Sequence, residues 1–150
     1  MTDQCQLDFY VLATPVLDAR HLACRLALMS WERGHHTTVV ANSGTAAREI
    51  DELMWESPPN RFLPHELDKE NKASFAPVVI TLMSGLNEAR MKESEVVINL
   101  CPEPIPEPGR FKRLLEIVPQ QAAERENSRQ KFRNYRDQGI TPRMHEIRTG

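Results

Sequence analysis

The sequence predicts a three-layer α/β fold in which a mostly parallel sheet carries helices on both faces. Three observations predict it. Short apolar runs alternate with stretches of helical periodicity along the first half of the chain. The runs Val78 to Leu82 (VVITL) and Val96 to Leu100 (VVINL) are apolar throughout instead of alternating, as strands covered on both faces are. Prolines, glycines and small polar residues stand at the boundaries between these pieces. At 150 residues the chain matches one domain with its own core.

Taken in order, Leu7 to Ala13 (LDFYVLA) is a short apolar run closed by Thr14 and Pro15, a first strand. Asp18 opens DARHLACRLALMSWERG, where Leu22, Leu26 and Met29 recur at helical spacing and Gly34 suits the left-handed residue that ends a helix. Thr37 to Ala41 (TTVVA) is β-branched and predicts a second strand. After Asn42, Ser43 and Gly44, Thr45 is placed to cap a helix marked by Ala46, Ile50 and Leu53. Ser57, Pro58, Pro59 and Asn60 stop that helix, and RFLPHELDKENKASFAP reads as a long loop with a short strand near Phe62. VVITL and VVINL bring the sheet to at least four strands. Beyond CPEPIPEPG, a short helical stretch is expected around Phe111 to Ile117, then a long helix from Gln120 to Gln138, stopped by Gly139 and Pro142.

Composition excludes several classes. A hydrophobic fraction of 40%, a charged fraction of 27% and a net charge of -2 are ordinary for a soluble protein and exert no global pull on nucleic acid. Cys5, Cys24 and Cys101 are odd in number and widely spaced, which fits reduced thiols in a cytoplasm better than a disulfide framework or a metal site. No apolar run reaches the ~20 residues of a membrane span, and the N-terminal MTDQCQLDFYVLATP lacks the layout of a secretion signal. The expected location is the cytoplasm.

Catalytic and cofactor sites are not indicated. There is no GxxxxGK[ST] or GxGxxG, and the first turn, Thr14-Pro15-Val16-Leu17-Asp18, has neither glycine nor lysine for a phosphate. The turn Asn42-Ser43-Gly44-Thr45 is accounted for by a capped helix. His21 and Cys24 lie three apart but read as packing residues, and His35 and His36 beside Gly34 as solvated imidazoles. Glu49, Asp51, Glu52 and Glu56 form a solvated acidic face with no second ligand cluster to join them.

Charge distribution is more informative. From Arg110 to Gly150 ten Lys/Arg stand against five acids, whereas from Asn42 to Glu70 three basic residues face seven acids. On the long C-terminal helix Arg125, Arg129 and Arg133 are four apart, and Phe132 shares their face. Guanidinium groups around a ring, with Val118 as a wall, suit a carboxylate-bearing peptide with an apolar anchor. A solvated face with Phe132 turned inward fits the composition as well, and direct binding of single-stranded nucleic acid competes for the same arginines. A second candidate surface is WESPPNRFLP, where Trp55, Phe62 and Pro64 form either a protein-binding patch or a buried clip between loop and sheet.

These residues also carry a family resemblance. The run AREIDELMWESPPNRFLPH (Ala47 to His65), the opening DFYVL and the ending VPQQAAERENSRQKFRNYRDQGI resemble the chi subunit of bacterial DNA polymerase III over nearly the whole chain. Most specific are the helix ending in LMW, the FLPH that follows, and the arginine-rich helix closing with YRDQG; residues 68 to 109 match only as a strand pattern. The resemblance implies a Rossmann-like fold without a working phosphate loop and a noncatalytic clamp-loader accessory subunit needing no cofactor. It implies two partners: the psi subunit, and the acidic C-terminal tail of single-stranded DNA-binding protein, which ends in proline and phenylalanine. DNA would be met only indirectly. By matching positions the tail pocket would use Val118, Arg125, Arg129, Phe132 and Arg133. Trp55, Phe62 and Pro64 would serve psi, with a helicase as a further candidate partner. Arg125 and Phe132 stand where the family commonly has lysine and tyrosine, which keeps charge and ring but loses a hydroxyl. The Pro/Glu stretch from Cys101 to Pro108 has no counterpart in the pattern.

Overall fold

The structure, a computed structural model, describes residues 5–13, 18–56, 62–68, 76–120 and 122–148, apart from the side chains of 122 and 123. Among these residues seven strands form one sheet: β1 (Gln6–Leu12), β2 (Thr37–Ala41), β3 (His65–Leu67), β4 (Val78–Leu82), β5 (Val96–Asn99), β6 (Arg113–Val118) and β7 (Arg143–Ile147). Their order is β3-β4-β2-β5-β6-β1-β7, and every pairing is parallel. The helices are α1 (Ala19–Glu32), α2 (Gly44–Glu56), α3 (Glu88–Glu93) and α4 (Ala122–Asp137). Parallel strands require crossovers, which is why helices lie against both faces.

Each face has its own core. On one, Leu22, Ala23, Leu26 and Ala27 of α1 and Ala47, Ile50 and Met54 of α2 pack against Val39, Ile80, Ile98, Leu115 and Ile117. On the other, Met91 of α3 and Tyr135 of α4 pack against Leu7, Phe9, Val40, Val97, Leu114 and Val118. Alternate residues of one strand thus serve opposite cores, which is why the apolar runs are unbroken. The arrangement is the expected three-layer, Rossmann-like α/β fold.

Several local expectations are met. Asp18 caps α1 by accepting from the His21 backbone N–H at 2.9 Å, and Gly34 takes a φ of 82°. Others are corrected. Met29, expected on the buried face of α1, is exposed. The cap of α2 is Ser43, whose Oγ accepts from the Ala46 N–H at 3.1 Å, with Thr45 already inside the helix. The strand expected near Phe62 begins at His65, leaving Phe62 in the loop before it. The stretch Phe111 to Ile117, expected as a helix, instead runs from a 3-10 turn at Pro108–Arg110 into strand β6, which starts at Arg113. Its polar Arg113 and Glu116 mimic one side of an amphipathic helix, but Glu116 is buried and paired inside the fold. α3 and β7 were not anticipated: one is only 6 residues long, and the other, RMHEI, is a polar edge strand. The turn from Thr14 to Leu17 and the stop at Ser57 to Asn60 lie outside the described residues.

Candidate functional site

A cleft opens between α4 and the edge of the sheet formed by β6, β1 and β7. Its volume is about 420 Å³, and its lining comprises Phe9, Val11, Val118, Arg125, Ser128, Arg129, Phe132, Arg133, Arg136 and Met144. All five residues expected in the peptide pocket therefore share one cavity. The floor is apolar because β1 turns Phe9 and Val11, and β6 turns Val118, toward α4. Phe132 is half-buried, tilted against Phe9 with ring centroids 5.7 Å apart, and Arg136 lies 5.9 Å from its centroid. The ring is thus neither fully inward nor solvated: one side is packed and the other walls the cleft.

The arginines differ in readiness. Arg125 is half-buried, donates from one terminal nitrogen to the Leu12 carbonyl at 3.4 Å, and has a buried Nε with no acceptor among the described residues. A guanidinium at the lining of an apolar cleft suits a carboxylate ligand. Arg129 and Arg133 are exposed, 3.2 and 3.9 Å from the Glu126 carboxylate. Exposed pairs of this kind are worth about 0–1 kcal/mol, so an incoming carboxylate displaces Glu126 at little cost.

The second surface lies at the opposite edge of the sheet. Trp55, at the end of α2, and Phe62 are 59% and 63% exposed, with rings 5.9 Å apart. Pro64 is half-buried between them and β3. The reading of these aromatics as a buried clip is corrected: the rings face outward. His65, beneath Trp55 at 4.6 Å between ring centroids, and Leu63 are the buried members of this segment.

Among the described residues the candidate catalytic groups do not assemble. His21 is exposed and 2.9 Å from Asp18, whereas Cys24, three residues on, is buried, and burial pushes its thiol up to about 12. Burial likewise raises the Cys5 and Cys101 thiols to about 11. Among the described residues no group of three His, Cys, Asp or Glu could hold a metal ion. No helix among them is long and apolar enough to cross a membrane.

Residues 5–143 match the family model described as DNA polymerase III chi subunit, HolC. The chain belongs to that family. A chi subunit of Pseudomonas aeruginosa is 32% identical over 143 residues, covering 95% of this chain and 96% of the relative. That of Haemophilus influenzae is 31% identical, covering 88% and 90%, and that of Escherichia coli 25% identical, covering 79% of each. Among solved structures, the crystal structure of T4 UvsW superposes with a TM-score of 0.72 at 8% identity, over 99% of this chain and 42% of that one. That likeness speaks for the fold alone. Membership in the chi family fits a noncatalytic, accessory role.

Within this chi-family chain, sequence reasoning missed five lining residues. Arg136 follows Phe132 by four and was within reach of the same periodicity. Phe9, Val11 and Met144 enter through strand pairing across the chain, which local spacing does not encode. Ser128 sits on α4 with its Oγ donating to the Glu124 carbonyl.

Proposed function

We propose that this chi-family protein works as a cytoplasmic, single-domain bridge within the polymerase III assembly. One surface holds the psi subunit, and the α4 cleft holds the acidic C-terminal tail of single-stranded DNA-binding protein. The observation that carries the tail reading is an apolar floor of Phe9, Val118 and Phe132 in one cleft with four arginines, Arg125, Arg129, Arg133 and Arg136. A terminal phenylalanine would rest on Phe9, Val118 and Phe132, its carboxylate would pair with the Arg125 guanidinium, and upstream acids would meet Arg129, Arg133 and Arg136. The exposed Trp55 and Phe62 rings, with Pro64 beside them, support psi as occupant of the second surface, since such aromatics anchor protein interfaces. A helicase is a further candidate there.

Titration of the purified protein with a synthetic acidic peptide ending in Pro-Phe tests the tail site. The peptide binds weakly, and less so at high salt; loss of its terminal phenylalanine, or Arg129→Ala, weakens binding by at least ~10-fold. Unchanged affinity in either case sinks the assignment. Comparable binding of bare single-stranded DNA at moderate salt would favour direct nucleic-acid recognition instead.

A further inference from the structure

Helix α4, which carries the four arginines and Phe132, is held on the sheet differently from α1. The buried residues of α1 are mostly apolar, Leu22, Ala23, Leu26, Ala27 and Leu28 among them. Among the described residues α4 buries Ser128, Lys131 and Tyr135, a stripe at spacings of three and four in which only the Tyr135 ring is apolar. Ser128 donates back to the Glu124 carbonyl within its own helix. Ties to the sheet come from the other two. Lys131 Nζ lies 2.6 Å from Glu116 Oε1, and Tyr135 Oη donates to Glu116 Oε2 at 2.5 Å. One carboxyl group of β6 thus grips two positions four residues apart, about 6 Å along the helix axis. Asn99 of β5 steadies that group by donating to Oε2 at 2.8 Å, and Lys131 reaches a second acceptor, the Cys101 carbonyl, at 2.8 Å. Apolar contact is non-directional, whereas hydrogen bonds fix distance and angle.

We infer that Glu116, Lys131, Tyr135 and Asn99 are positioning residues for the α4 cleft: two grips on one buried carboxyl group fix how far α4 slides along the sheet and how it turns about its axis. They thereby set where Phe132 and the arginines stand over the apolar floor. The inference rests on that cleft being where the acidic peptide docks, and it adds that affinity depends on residues that never touch the peptide. None of the four lines the cleft. Phe132 and Arg133 fall between the two gripped positions and Arg129 lies two residues before them, so any turn of the helix carries all three. The step from one helical residue to the next is about 100° and 1.5 Å, so even a fraction of a step takes the Phe132 ring off Phe9, whose centroid is 5.7 Å away. A network that serves stability alone can be replaced by apolar side chains of similar volume. One that positions the helix cannot, because such side chains fill the space without fixing rotation or translation.

The test compares the wild type with the double variant Glu116→Leu/Lys131→Met and with Tyr135→Phe, which removes only a hydroxyl and keeps the ring in the core. Each protein is measured for its urea midpoint, for its affinity for a synthetic acidic peptide ending in Pro-Phe and, without peptide, for the NMR contact between the Phe9 and Phe132 rings. The double variant unfolds cooperatively near the wild-type midpoint, yet binds the peptide roughly tenfold more weakly and shows a weakened ring contact. Tyr135→Phe binds roughly threefold more weakly, with the ring contact reduced in the same sense. Wild-type affinity together with a wild-type ring contact in the double variant overturns the positioning role. Should that variant fail to fold, the same pair of results in Y135F overturns it. A wild-type protein that does not bind the peptide refutes the tail reading instead, while the ring contact in the variants still decides whether the network places α4.

Discussion

At the residue scale, the α4 cleft depends on a carboxylate that never faces it. Asp8, buried on the opposite side of β1, accepts from Gln6 Nε2 at 3.0 Å, Arg113 at 2.9 Å, Arg143 Nε at 3.2 Å and His145 Nε2 at 2.7 Å. Two of these donors belong to β7, so Asp8 holds in place the strand that brings Met144 to the cleft. Burial pushes the Asp8 carboxyl up, but the bonds from Arg113, His145 and Gln6 outweigh it and hold the group at about 2, below its ordinary 3.8. A depressed carboxylate contributes stability that is complete above about pH 4 and is lost as the pH falls toward 2. Asp8→Asn should therefore cost about 2 kcal/mol near neutrality, read by urea denaturation, and the gap to wild type should close through that acid window. A gap independent of pH would remove Asp8 as the latch. Glu126 works in the other direction, because it occupies Arg129 and Arg133 in the free protein. Glu126→Gln should tighten tail-peptide binding about threefold, and weaker binding in that variant would show that Glu126 orders the arginines instead of competing for them.

At the element scale, α4 is set on the sheet by a buried polar network. Lys131 Nζ lies 2.6 Å from Glu116 Oε1 and 2.8 Å from the Cys101 carbonyl oxygen, Tyr135 donates to Glu116 Oε2 at 2.5 Å, and Asn99 donates to the same oxygen at 2.8 Å. Tyr135 also accepts from the Ile105 N–H at 2.8 Å, so the Pro/Glu stretch that no pattern explained is tied to α4, with Ile105 in the core. Burial raises the Glu116 carboxyl, with Lys131 and the hydrogen bonds opposing it. Glu116→Gln strands the buried Lys131 ammonium and should cost about 3–5 kcal/mol, whereas the apolar pair Glu116→Leu with Lys131→Met should recover most of that loss in urea unfolding. Additive losses in the double variant would mean the two side chains act separately. The same network explains what was legible. Strands with uninterrupted apolar runs and helices with clear stops could be read locally, but β6 hides a charged core residue whose partner lies 15 positions away. The arginine face of α4 follows from helical spacing alone, while its apolar floor comes from β1 and β7, distant in sequence and joined only by pairing.

At the scale of the whole molecule, the two surfaces sit at opposite edges and on opposite faces of the sheet. The aromatic patch belongs to α2 and β3, and the cleft to α4, β1 and β7; between β3 and β1 lie five strand spacings of about 4.8 Å, or about 24 Å. No described side chain belongs to both surfaces, and no ion pair links α2 to α4 among the described residues. The charge asymmetry divides the same way: the cleft is rimmed by arginines, whereas the helix bearing Trp55 carries Glu49, Asp51, Glu52 and Glu56. An acidic peptide should therefore be steered to one edge and repelled from the other at low salt. Sites so separated, with a rigid sheet between them, should bind independently. Tail-peptide affinity measured with and without saturating psi should agree within about 0.5 kcal/mol, and Arg129→Ala should leave psi binding unchanged as Trp55→Ala leaves tail binding unchanged. Independence is what the proposed bridge requires, since each contact would then raise the local concentration of the other without either having to form first. A psi-induced change of tenfold or more in tail affinity would instead make the sheet a coupling element and the protein a switch.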